Sequence, residues 1–106
     1  MASQFVFMEV EFADESLDRL ETDARFDAGL PTEVVRAFRK RMQQIRAAAD
    51  ERVFYALKSL HFEKLKGDRA GQQSIRLNAK WRLVLRLKGQ APSKVVVIVE
   101  VVDYHG

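Results

Sequence analysis

Residues 74–88 read Ser-Ile-Arg-Leu-Asn-Ala-Lys-Trp-Arg-Leu-Val-Leu-Arg-Leu-Lys, and their alternation decides the fold. Ile75 and Leu77 alternate with Ser74 and Arg76, and Leu83, Leu85 and Leu87 alternate with Arg82, Val84, Arg86 and Lys88. Successive side chains of a strand point to opposite faces, so this period of two predicts two strands, each with one apolar and one basic face. Asn78-Ala79 is too short a connection for anything but a reversal, so the strands run antiparallel with Arg76 and Arg82 at their facing ends. A second short connection, residues 89–93, leads to residues 95–102. These are apolar on both faces apart from Glu100, as expected of a central, doubly covered strand.

Towards the N-terminus the period lengthens. Val34, Phe38, Met42, Ile45 and Ala49 recur at helical spacing while Arg36, Arg39, Lys40, Gln43 and Arg46 fall elsewhere, which predicts an amphipathic helix with one buried stripe and a solvated basic face. Gly29-Leu30-Pro31 precedes it, with Pro31 placed in the first turn, where a missing N–H costs nothing. A shorter acidic helix is expected over residues 14–23, capped by Asp14 and turning Leu17 and Leu20 inward. Residues 5–12 mix Phe and Val with acidic positions and predict a first strand, with Met8 an ordinary buried strand methionine. The expected architecture is α+β: an N-terminal strand, two helices, then an antiparallel β-meander, with the helices on one face of the sheet and the arginines on the other. With 106 residues, the whole of 1–106 is expected to form a single domain.

Composition narrows the function. The net charge of +3 is unevenly spread: residues 1–56 hold eight Lys or Arg against eleven Asp or Glu, whereas residues 57–106 hold ten against four. A basic half on a small domain suits a polyanion such as RNA or DNA. The absence of cysteine excludes disulfides, thiolate nucleophiles and cysteine zinc sites, and fits a reducing cytoplasm. His61 and His105 are too few for a histidine-rich metal site. Glu9 and Glu11 interrupt the first apolar run, so no secretory signal is expected, and residues 95–102 are too short to cross a bilayer. The chain is therefore expected to be soluble and cytoplasmic, with no membrane association.

Cutting RNA without a metal requires a base for the 2′-hydroxyl proton, a cation for the phosphate charge and an acid for the leaving 5′-oxygen. Asp103, Tyr104 and His105 bring three proton-transfer groups together directly after the apolar strand. Lys64, Lys66 and Arg69 surround Gly67-Asp68 in a turn. Arg76 and Arg82 add planar guanidinium forks that suit phosphate, and Arg86 and Lys88 continue the basic sheet face. Trp81 and Tyr104 are the aromatic residues of the sheet region that could stack on bases. Any one of these charges alone would be ordinary solvated surface; their crowding marks them as a site.

The stretch Leu65-Lys66-Gly67-Asp68-Arg69-Ala70-Gly71-Gln72-Gln73-Ser74-Ile75-Arg76-Leu77-Asn78-Ala79-Lys80-Trp81-Arg82 resembles the signature of HigB-type toxins of the RelE/ParE superfamily, and Val101-Val102-Asp103-Tyr104-His105 is similar to that family's ending. The resemblance implies a type II toxin on a RelE-like, microbial-RNase-like fold that cuts messenger RNA in the ribosomal A site. It also implies a cognate HigA-like helix-turn-helix antitoxin, through which alone operator DNA is met, and neither cofactor nor metal. Carried onto this chain, it assigns Arg82 and Arg76 to the scissile phosphate and Lys66 to charge stabilisation. It assigns Tyr104, His105 and Asp103 to proton transfer and stacking, while Lys64, Arg69, Arg86, Lys88 and Trp81, on the basic turn and strands, are expected to contact the RNA. Where some members carry a histidine three residues before the lysine this chain has Glu63, with His61 two residues earlier, on the same face if the segment is extended. Two alternatives are a ParE-like gyrase inhibitor without nuclease activity and a non-catalytic RNA-binding module. Asp103-Tyr104-His105 and the Arg76 and Arg82 pair argue against the first, and the scarcity of sheet aromatics against the second.

Overall fold

The computed structural model describes residues 7–104. Among these, five strands form one sheet in the order β1-β5-β4-β3-β2: β1 (Glu9–Phe12), β2 (Glu63–Lys64), β3 (Gln73–Arg76), β4 (Trp81–Lys88) and β5 (Val95–Asp103). The meander from β2 to β5 is antiparallel throughout, and β1 joins the far side of β5 in parallel. Helices α1 (Glu15–Thr22), α2 (Thr32–Ala47) and α3 (Arg52–Ala56) make the crossover between β1 and the meander.

The predicted helical stripe is the core. Val34, Phe38, Met42 and Ile45 of α2 are fully buried and pack with Leu17 and Leu20 of α1, Phe54 of α3 and the apolar sheet face formed by Ile75, Leu83, Leu85, Val96 and Ile98. Ala49 departs from the expected stripe. The helix ends at Ala47, so Ala48 takes the buried position and Ala49 is exposed. Pro31 stands at the cap position, one residue before α2. The basic side of this helix is not all solvated. Arg39 donates to the carbonyls of Leu20, Asp23 and Phe26 at 2.9–3.1 Å, and Arg46 grips Glu21 at 2.5 and 2.7 Å, so two arginines fasten α1 and its following loop onto α2.

Met8 is buried as expected, and residues 5 and 6 of the predicted first strand lie outside the described residues. The centre of the sheet is β5, but its double covering holds only in its first half. Val96, Val97 and Ile98 are buried, whereas positions 99–102 are half-buried because the helices cover one face alone. A register shift lies between the Val84↔Glu100 and Leu85↔Ile98 pairs, leaving Val99 as the extra residue of a β-bulge. The bulge inverts the phase of the strand, so Glu100 and Val102 share the helix-free face with Val84 and Arg82.

Residues 50–53 anchor the edge of this layer. Asp50 is buried and accepts bonds from the Arg52 backbone N–H (3.0 Å), Nε (2.9 Å) and Nη2 (2.7 Å). The Arg52 side-chain and backbone bonds hold its carboxyl down from 3.8 to about 2. A carboxylate depressed on folding contributes stability above its unfolded value that is lost as pH falls through the folded one. Thermal midpoints should therefore drop between about pH 4 and pH 2, and Asp50→Asn should flatten that limb of the curve. An Asp50→Asn protein with an undiminished acid slope would refute the assignment.

Candidate active site

The chemistry-bearing residues collect on the helix-free face at one end of the sheet. Register pairs Arg76 directly with Arg82, and Ser74 with Val84, all on that face. Asn78 shapes the connection between them: its Oδ1 accepts the N–H groups of Lys80 and Trp81, both at 2.9 Å. The same turn anchors the end of β5, because the Tyr104 N–H donates to the Lys80 carbonyl at 2.6 Å. One hairpin thus sets the positions of Arg76, Arg82 and Tyr104 together.

Arg82 is the centre of the arrangement. Its side chain is only 15% exposed; Nη1 donates to the His61 carbonyl (3.0 Å) and Nη2 to Glu63 Oε1 (3.4 Å), and its guanidinium carbon lies 5.4 Å from the centroid of the Tyr104 ring. Those bonds leave the remainder of its five donors available. Tyr104 is 53% exposed, and its ring and the arginine form a cation–π pair at the mouth of the site.

Beside them opens a cleft of about 400 Å³ whose floor is Val84 and Val102 and whose rim includes Glu63, Lys66, Arg69 and Tyr104. The rim is built by the turn that starts at Lys66. Gly67 and Gly71 sit at φ +64° and +91°, in the left-handed region that a side chain disfavours, so the Lys-Gly-Asp-Arg-Ala-Gly spelling is what lets this segment fold back over the sheet. Arg69 fastens it there through an ion pair with Glu100 and a 2.9 Å bond to Gln72 Oε1.

The charges do not balance. Glu63 and Glu100 answer Arg82 and Arg69, but Lys64, Lys66 and Arg76 have no side-chain partner among the described residues. Like charges directly opposite on neighbouring strands are destabilising, so the Arg76–Arg82 pairing works against the sheet. Sequence reasoning passed over a third arginine here. Arg41 of α2 donates to the carbonyls of Arg76 (2.9 Å) and Ser59 (3.2 Å) and to Gln44 Oε1 (2.9 Å), tying the helix to the strand end and to the turn before His61. Burial pushes its pKa below the ordinary guanidinium value, and the charge of Arg76 pushes it further the same way.

Other expected site residues are placed apart. Trp81 falls on the helix-packed side with Leu83 and Leu85, half-buried against the core, so its ring is not on the basic face. Asp103 pairs with Trp81, on the face away from the cleft. Arg86 and Lys88 continue the basic face towards the opposite end of the sheet, where Lys88 pairs with Glu11 at 2.9 Å. His105 lies outside the described residues. His61 and Glu63 do not share a face in an extended segment: His61 is left-handed (φ 45°, ψ 52°), so it offers Arg82 a carbonyl while Glu63 offers its carboxylate. Among the described residues no group of three His, Cys, Asp or Glu side chains gathers to hold a metal, and no helix is long and apolar enough to cross a membrane.

This strand–helix–meander architecture is that of small RelE-like toxins. The chain is similar to the YoeB/ParE toxin from Agrobacterium tumefaciens at 23% identity and TM-score 0.59, over 91% of this chain and 98% of that one. It is similar to the structure of the YoeB-YefM complex from Staphylococcus aureus (17%, TM-score 0.57, 93% and 98%) and to YafQ from E. coli (11%, TM-score 0.53, 92% and 94%). At such identities the likeness speaks for the fold. No curated protein matches the sequence. Residues 10–105 match the family described as the RelE-like toxin of type II toxin-antitoxin system HigB, and the chain belongs to that family.

Proposed function

We propose that this toxin is a metal-independent endoribonuclease that cuts messenger RNA on the translating ribosome, in the cytoplasm, as one domain spanning residues 1–106, and is neutralised by a HigA-like antitoxin. The observation that carries the reading is Arg82, mostly buried, braced by Glu63 and the His61 carbonyl, capped by Tyr104 and facing the unpartnered Arg76. Glu63 matches one of these two crowded cations, and the charge left over on Arg76 is satisfied by a polyanion. Arg82 and Arg76 hold the scissile phosphate with Lys66 at the rim, where preorganised donors meet charge as it develops.

The 2′-oxygen attacks phosphorus, the bond to the 5′-oxygen breaks, and a cyclic phosphate and a 5′-hydroxyl result. Glu63, a carboxylate beside Arg82, takes the 2′-hydroxyl proton. The leaving oxygen receives its proton from the Tyr104 and His105 end of the chain. Lys64, Arg69, Arg86 and Lys88 attract the RNA backbone, a salt-dependent contribution that does not choose the cut position.

A cleft this open offers few groups to grip a base sequence, so the ribosome must supply the positioning. Purified protein should cut mRNA in a translating extract and leave the same naked mRNA largely intact. Equal cutting of both would overturn ribosome dependence. Cells that arrest replication with DNA damage while still making protein would point to the gyrase-inhibiting alternative.

A further inference from the structure

On the other side of β2 lies a groove of about 630 Å³ that the site above does not use, between α3, the sheet edge and the connection from β4 to β5. Its walls include Arg52, Tyr55, Lys64, Gln73 and Pro92. Tyr55 is 54% exposed, a large ring left outside the core. It is nonetheless held, its ring and that of Phe62 meeting in a T-shaped contact with centroids 4.9 Å apart and planes at 89°. A fixed, exposed aromatic face is what a stacking partner requires.

Of the charged residues that line the groove, Arg52 is paired with Asp50, and Glu51 and Lys64 carry opposite charge. The Glu51 carboxylate is held beside the β4–β5 connection by the Ser93 N–H (2.7 Å) and keeps its charge, while Lys64, across the groove, has no partner among the described residues. Gln73 Oε1, a buried acceptor on the same wall, has no hydrogen-bond partner among the described residues and calls for a donor, not an anion. Lys64 also lines the active-site cleft. Strand β2 divides the two spaces: Glu63, opposite Ser74, belongs to the cleft side, and Lys64, opposite Gln73, to the groove side.

We propose that this groove is a nucleobase subsite. Single-stranded RNA leaving the cleft crosses β2 over Lys64, and a flanking base stacks on Tyr55. This rests on the cleft being the RNA-cutting site. The groove continues that surface through Lys64, and an aromatic platform beside a cation that is unpaired among the described residues grips RNA regardless of base identity. A contact remote from the reacting phosphate is equally strong before and during reaction, so it governs how much mRNA is needed, not how fast bound mRNA is cut.

The test uses the full-length chain carrying Tyr55→Ala or Tyr55→Trp. Tyr55→Ala should raise the mRNA concentration for half-maximal cutting in the translating extract about tenfold, with the maximal rate and cut position unchanged, and Tyr55→Trp should restore it. A folded Tyr55→Ala protein with the parental half-saturation value overturns the subsite. So does one whose sole defect is weaker antitoxin capture, which would make the groove a protein-binding surface. Fluorescence anisotropy with a labelled single-stranded RNA of about eight nucleotides separates the two levels of the argument. If the parent cuts nothing in the extract but binds this RNA through Tyr55, the cleavage reading fails and the subsite stands. If Tyr55→Ala cuts nothing less and binds as the parent does, the subsite fails.

Discussion

An Arg82→Ala protein should fold, capture its antitoxin and cut mRNA at least about a hundredfold more slowly than the parent, the usual cost of removing one donor from a preorganised anion site. The fold is expected to survive because the groups Arg82 holds are wet: His61 is exposed, and the Glu63 side chain is 51% exposed, so each finds water when the guanidinium is gone. Arg82→Lys should not rescue activity. A lysine carries the charge but cannot span the His61 carbonyl, Glu63 and a phosphate with one planar fork. Melting temperature, antitoxin pull-down and cleavage rate on the same preparations decide the matter. A folded Arg82→Ala protein cutting at close to the parental rate would remove this residue from the chemistry.

The largest effect on stability is expected at Phe38. It is completely buried in the middle of α2, where the helix meets the sheet. Truncating a phenylalanine so enclosed costs about 3–5 kcal/mol, since the transfer energy of the ring is lost and a cavity remains. A domain of this size has only about 5–15 kcal/mol in total, so Phe38→Ala should remove a large share of the free toxin's stability. Urea unfolding followed by circular dichroism measures the difference. A loss below about 1 kcal/mol would mean that the core collapses around the deletion.

Local pattern made much of this legible. Alternation in residues 74–88 placed Arg76 opposite Arg82 on one face, and the four-four-three spacing from Val34 to Ile45 marked the buried side of α2. Partnership between distant segments was another matter: nothing in the composition of β1 says that it lies parallel to β5, because periodicity reports which face is buried and not which strand is adjacent. Helix α3 has five residues, too few for any period to show. The phase of β5 was illegible for a different reason, since the bulge at Val99 reverses the alternation that would carry Glu100 to the helix side with Ile98. Trp81 was legible and was overridden. Its alternation with Arg82 puts it with the leucines, while the likeness to an RNA-cutting motif drew it towards the substrate. Arg41 carried no signal, because a helical arginine looks the same whether it meets water or three carbonyl and amide oxygens.

The parallel pairing of β1 with β5 bears on how the toxin is born. Glu9 lies against Val95, so among the described strands the first to be synthesised has no neighbour until the last of them has emerged. Closing so long a loop must precede any reward from the contacts it makes, which delays this pairing until β5 is available. Strand β5 is also the middle of the sheet, and the backbone that positions Tyr104 follows directly from it. The end of the sheet that carries Arg76, Arg82 and Tyr104 is therefore completed only once β5 has paired, which makes it a late product of folding.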